Sequence, residues 1–488
     1  MIPPRRIAVA LVTVLTFLSL AASAARASDS VYWVNYGGDA ISSASIGGGG
    51  GRDVSIPAGM VNGPYGLVLD AAKAMVYWAN FDANNIGYAS LNGGSSGFLN
   101  TIGAPIASPS GLALDPSANR LYWTNAGAET LGFANLNGSG GGSVNTSGAT
   151  VDRAYGVVAY PPTGRVYWTN YGASKISYAN LDGSGGGDLD TTGAPVEGPA
   201  GLAIDAATGR IYWANFDNDT IGYANLGGGG GGSIDTTGAP IDGPVGVAID
   251  PYSGFVYWAN EEGNSVAYHS ISGDTGGKID TAGATTEKVV LPALLITPRP
   301  SSSPEIQGKH RPGSTLSCSS GSWRGDLPES FFSQAPRSFA FAWFRNGKAI
   351  EGATTASIVA NKVGTYSCVV TATNFAGSDA AVNDIDFSVN ATVAFKKTTF
   401  NRKKGTAIVR VAVTGAGRLD AYGKGVANAS RKHVSGTAKI VVRASGKALI
   451  KLRNTGKAKV KATIAYTPEG GKAIKRRKTV ALKKKMRR

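Results

Sequence analysis

Six tryptophans, Trp33, Trp78, Trp123, Trp168, Trp213 and Trp258, each preceded by tyrosine, follow one another at intervals of 45 residues in a chain of 488. A repeat of that length with strand-like composition predicts propeller blades, because a single four-stranded unit cannot bury both its faces and needs a neighbour on each side. Six units predict six blades. The expected fold class is all-β: a six-bladed β-propeller followed by two β-sandwich modules.

One period reads strand by strand. Gly201–Asp205, Arg210–Asn215, Thr220–Asn225 and Ser233–Thr236 are four short strands separated by turn-rich connections. The second strand is apolar at consecutive positions (Ile211-Tyr212-Trp213-Ala214), as expected of a strand buried on both faces. Six equivalent tryptophans therefore read as packing residues rather than as sugar-stacking ones. The glycine runs Gly47–Gly51 and Gly227–Gly232 lack the Lys-Ser/Thr of a phosphate loop and read as turns. The first unit begins at its second strand, Val31-Tyr32-Trp33, so its inner strand must come from elsewhere. One period beyond Gly246–Asp250 lies the apolar run Leu291–Leu295, which we read as that strand, closing the ring. Pro292 is its awkward residue.

The recurring Tyr-Trp-x-Asn, with Gly-Leu-Ala-Ile-Asp before it and Ile-x-Tyr-Ala-Asn-Leu-x-Gly after it, resembles the YWTD repeats of the low-density-lipoprotein-receptor class B type over residues 31 to about 295. The resemblance implies a six-bladed propeller used for extracellular protein recognition. Asn35, Asn80, Asn125, Asn170, Asn215 and Asn260 stand where that family has aspartate, so an amide must make the hydrogen bonds of its carboxylate.

Residues 1–27 read as an export signal: Arg5 and Arg6, an apolar run from Ile7 to Leu20, then Ala22-Ser23-Ala24 and Ala25-Arg26-Ala27 as cleavage sites. The protein is expected to be secreted, with no membrane-spanning segment in its mature form. Residues 28–297 form the propeller, 298–390 a second module entered through a Pro/Ser-rich linker (Pro298–Pro304), and 391–488 a third. The chain's two cysteines, Cys318 and Cys368, are expected to form a disulfide outside the cell. With Trp343 and Tyr366 they resemble the core of an immunoglobulin-like sandwich, with an insertion around Trp323 to Pro336. The third module carries 28 lysines and arginines against Asp420 and Glu469, so the rest of a chain of net charge +16 is acidic. Alternation in Lys457–Ile464 puts lysines on one face of a strand and apolar residues on the other. This module resembles, in style, the basic terminal modules of secreted bacterial proteins. Its coat serves either solubility or attachment to anionic cell-wall polymers. Nucleic acid is not an expected partner, since no aromatics interleave with the terminal lysines.

Three histidines, His269, His310 and His433, fall one in each module, too few for a catalytic triad or a histidine metal site in the propeller. Asp70, Asp115, Asp205 and Asp250 recur at one position, where a carboxylate caps the following turn; Tyr160 replaces it once. No catalytic residue, metal ligand or cofactor is assigned. The expectation is a non-catalytic protein binding an extracellular protein or glycan, with a metal-dependent propeller hydrolase or lactonase as the alternative. Recognition belongs where the repeat varies, in loops on one rim. Candidate ligand-binding residues there are Tyr36, Phe81, Asp82, Tyr171, Phe216, Asp217, Asp219 and Glu261.

Overall fold

The computed structural model describes residues 29–486 apart from positions 274 and 386; the export signal read from residues 1–27 lies outside them. Six four-stranded antiparallel blades ring a central axis. The second blade is representative: inner strand Pro64–Asp70, then Met75–Asn80, Asn85–Ser90 and the short outer Ser96–Phe98. Every Tyr-Trp strand is buried along its length, its first residue apart, and all six indoles are wholly enclosed.

The ring closes through the chain's return. Val289–Leu295 pairs antiparallel with Ser30–Asn35 and completes the first blade. The pairing slips between Tyr32 and Val34, and Leu291 and Pro292 fall in that slip, so the ladder needs no amide hydrogen from the proline.

The asparagines explain their departure from aspartate. In the second, third, fifth and sixth blades the amide oxygen accepts an N–H of the loop entering the inner strand, for example Glu197 onto Asn215 at 3.0 Å. The amide nitrogen donates to a carbonyl of the same loop, for example that of Pro195 at 3.1 Å. A carboxylate could do only the first. The neighbouring indole donates to that same carbonyl. The residue after each asparagine is tied to this loop too: Tyr36 N to Lys288 O, Phe81 N to Gly63 O, Tyr171 N to Arg153 O, Phe216 N to Gly198 O and Glu261 N to Gly243 O.

Beyond the propeller, Ser314–Cys318 and its neighbours face a sheet centred on Gly364–Asn374, with Cys318 and Cys368 bonded and packed against Trp343. The Tyr366 hydroxyl donates to Lys362 O at 2.7 Å. The expected Pro/Ser linker is not a free tether. Pro300–Ser302 pairs with Ser322–Trp323, and Arg299 bridges Asp29 at 3.1 Å, because the two modules share a buried junction. The insertion forms it. Phe332–Ser333 adds a parallel strand beside Leu294–Leu295, on the channel side of the closing blade. Ser330 Oγ donates to Ile204 O at 2.5 Å, and Phe331 and Phe332 join the propeller core. The insertion thus stops the channel at the end where the inner strands finish.

The third module is one continuous sheet bent around a single core rather than two separate layers. Thr406–Gly423 pairs first with Val393–Asn401 and later with Lys457–Pro468, which pairs with Ile474–Lys483. A helix, Gly446–Thr455, packs beside it.

Candidate functional site

At the opposite end from the insertion, where the inner strands begin, the channel opens into a cup of about 300 Å³ lined by Tyr36, Tyr65, Phe81, Tyr155, Tyr171, Ala200, Phe216 and Glu261. Its floor follows from the inner strands. A Cβ on Gly66, Gly111, Gly156 or Gly201 would come within 2.0–2.6 Å of a backbone carbonyl oxygen of the next inner strand. Only glycine lets the strands converge this far. In the closing strand the matching residue is Leu291, whose side chain lies against Gly201 and Gly246. Glycine backbone and one leucine make the floor.

Six rings form an arc around the wall. Tyr36 meets Tyr65 and Phe81 edge-on at 6.0 and 6.2 Å. Tyr65 meets Phe81 at 5.8 Å and Tyr155 at 5.2 Å. Tyr155 meets Tyr171 at 5.5 Å, and Tyr171 meets Phe216 at 6.4 Å. The rings are set at angles, so they enclose a volume rather than offer a flat platform. Two braces recur half a turn apart: Tyr36 OH donates to Asp82 at 3.4 Å and Tyr171 OH to Asp217 at 2.8 Å. Burial and the Asp217 carboxylate push the Tyr171 hydroxyl up to about 12, so it remains a donor. Burial likewise holds the Tyr65 hydroxyl well above its ordinary range.

The gap in the arc is acidic. Burial raises the Glu261 carboxyl above its ordinary 4.5; the Lys288 ammonium opposes this and the Glu262 carboxylate adds to it. Glu261 forms no ion pair among the described residues. Lys288 instead stands over the Tyr36 ring at 5.6 Å, and Arg153 over the Tyr171 ring at 4.9 Å. The wall already attracts cations through its ring faces.

Of the residues expected at the rim, the fold gathers Tyr36, Phe81, Tyr171, Phe216 and Glu261 into one cup. Asp82 and Asp217 stand behind it as acceptors for the tyrosines. Asp219 lies outside it. Its carboxylate accepts Gly243 N at 2.8 Å from a left-handed turn position, a brace that Asp39, Asn84 and Asn264 repeat in other blades. Tyr65 and Tyr155 escaped the sequence reading. Their signal was the second inner-strand position, which reads Tyr65, Ser110, Tyr155, Ala200, Val245 and Val290 around the ring. The recurring aspartates are occupied: Asp115, Asp205 and Asp250 each accept turn amides at 2.9–3.4 Å. Among the described residues no group of three or more His, Cys, Asp or Glu side chains converges as a metal site. No helix described is long and apolar enough to cross a membrane.

The fold and cup define a six-bladed β-propeller with one open mouth. No protein-family model matches the chain, and no curated protein matches it in sequence. Among solved structures it is similar to a chain of a nidogen/laminin complex, at 21% identity over 55% of this chain and 98% of that one, with a TM-score of 0.46.

Proposed function

We propose that this is a secreted, non-catalytic binding protein whose propeller mouth takes a basic side chain of an extracellular protein partner. The observation that carries the reading is Glu261, a half-buried carboxylate without an ion-pair partner among the described residues, set in the gap of an arc of six aromatic rings. A lysine or arginine brings a cation for that carboxylate and an apolar stem for the rings, each cation–ring contact being worth about 0.5–2 kcal/mol. The cup's volume suits one side chain, and the remaining rim loops would supply the wider contact that specificity requires.

The test is a titration with N-acetyl-lysine amide and N-acetyl-arginine amide, followed through the ring protons of the cup by NMR. Saturable binding is expected, and Glu261→Gln and Tyr155→Ala should each remove it. Binding should also weaken as pH falls, because protonation neutralises Glu261, and the midpoint should lie above that of an ordinary glutamate. If neither amide binds while a neutral oligosaccharide does, the mouth is a glycan site and the reading fails.

A further inference from the structure

The basic module carries a second surface, unrelated to the mouth. Strands Lys457–Pro468 and Ile474–Lys483 pair antiparallel, and their outward residues can be followed position by position. Lys457 faces Lys483, Lys459 faces Ala481, Lys461 faces Thr479, Thr463 faces Arg477 and Ala465 faces Lys475. Past the Lys457–Lys483 pair, every cation is opposed by a small neutral residue. The charges therefore run in single file: Lys457, Lys459 and Lys461 along one strand, then diagonally to Arg477 and on to Lys475. Steps along a strand are about 6.7 Å and the diagonal about 7–8 Å, giving an evenly spaced row roughly 28 Å long. These six cations are all exposed, and none forms an ion pair among the described residues. The nearest carboxylate on that face, Asp420, is held by Arg418 at 2.9 Å.

We propose that this row is a binding track for a flexible, linear phosphate polymer lying along it. A coat serving solubility alone gains from mixed signs and loses from the Lys457–Lys483 juxtaposition, whereas a polyanion relieves that repulsion. Five of the six cations are lysines, point charges that ask for charge at regular spacing rather than a planar two-pronged acceptor. Neither strand places an aromatic on that face, and the neighbouring strand brings one half-exposed ring to it, Tyr422 opposite Thr463, so a single-stranded nucleic acid would find a row of charge without the succession of rings that stacked bases need. The opposing Ala481, Thr479 and Thr463, none of them buried, leave the polymer room to lie flat.

The experiment compares the full chain with two variants carrying equal charge changes. One replaces Lys457, Lys459, Lys461 and Lys483 with threonine, already the residue at positions 463 and 479. The other does the same at Lys396, Lys397, Lys432 and Lys439, exposed lysines off the track. Binding to inorganic polyphosphate is measured across a salt series. The track variant should lose most of its affinity, and its log–log salt slope should fall by about three, at roughly 0.7 for each lysine–phosphate pair removed. The control should lose far less. Equal losses in the two variants, or binding indifferent to salt, overturn the proposal in favour of a solubility coat. Single-stranded DNA bound more tightly than polyphosphate of equal charge overturns it in favour of nucleic acid. Should the fourfold track variant fail to fold, Lys459→Thr with Lys461→Thr, set against Lys432→Thr with Lys439→Thr, carries the same comparison.

Discussion

Asn215 shows what the repeat's asparagines do that an aspartate cannot. Its oxygen accepts from Glu197 N while its nitrogen donates to Pro195 O and to Thr220 Oγ1, all inside a wholly buried environment. In blades one and four the donation goes to Ser42 or Ser177 instead, a serine on the adjacent strand. Asn215→Asp keeps the size and the acceptor but turns the donor into a second acceptor, aimed at a carbonyl. A buried donor lost in this way costs about 1–3 kcal/mol, and more once the group is charged. Urea unfolding should show a loss of at least that size at neutral pH, partly recovered in acid where the carboxyl is protonated. No loss at neutral pH would mean that the lead-in loop holds itself. This part of the scaffold was half legible: the sequence shows the amide at six equivalent places, but its second partner depends on a loop 20 residues upstream.

At the scale of elements, the blades and the closing strand could be read because they obey a period, and every strand has a counterpart to check it against. The rim was legible at the first residue after each asparagine, where Tyr36, Phe81, Tyr171, Phe216 and Glu261 break the repeat. Tyr65 and Tyr155 were hidden inside strands otherwise read as uniform packing, although their strand position also varies. The insertion was not legible in any detail. It has no period, and its hydrogen bond to the propeller spans 126 residues of sequence. Its weight in stability can be tested at Phe332, which is 1% exposed and meets Tyr252 edge-on at 5.7 Å. Phe332→Ala should cost about 3–5 kcal/mol, as for other buried phenylalanines. Hydrogen exchange of the amides in the six Tyr-Trp strands should report the loss, because the cavity opens against the closing blade. A variant that destabilised only the second module, leaving that signal unmoved, would contradict this packing.

Across the whole molecule, the propeller and the second module behave as one packed body. Within the insertion Gln334 Nε2 also donates to Thr297 O at 3.0 Å; outside it, Asn374 Nδ2 donates to Ile296 O at 2.7 Å and Ala376 is buried in the propeller's core cluster. Calorimetry of the full chain should therefore show these two modules melting in one transition, with reduction of Cys318–Cys368 lowering the midpoint for both; two separate transitions would refute the coupling. The bridge spans 50 residues, and in the chain-entropy model closing a loop of that length contributes about 4 kcal/mol.

The strand that closes the ring also decides how the molecule answers a pull. Val289–Leu295 leaves the propeller at its stopped end and leads straight into the second module, so a pull between the two is shared between their packed junction and this strand, which takes its part along its own axis. Its hydrogen bonds to Ser30–Asn35 lie across that axis. They are loaded together in shear instead of being peeled one at a time, with the Asp29–Arg299 bridge as a clasp at the exit. The geometry is that of a seat-belt webbing drawn through its buckle: along the closing strand the hydrogen bonds of the first blade share a load instead of yielding in turn.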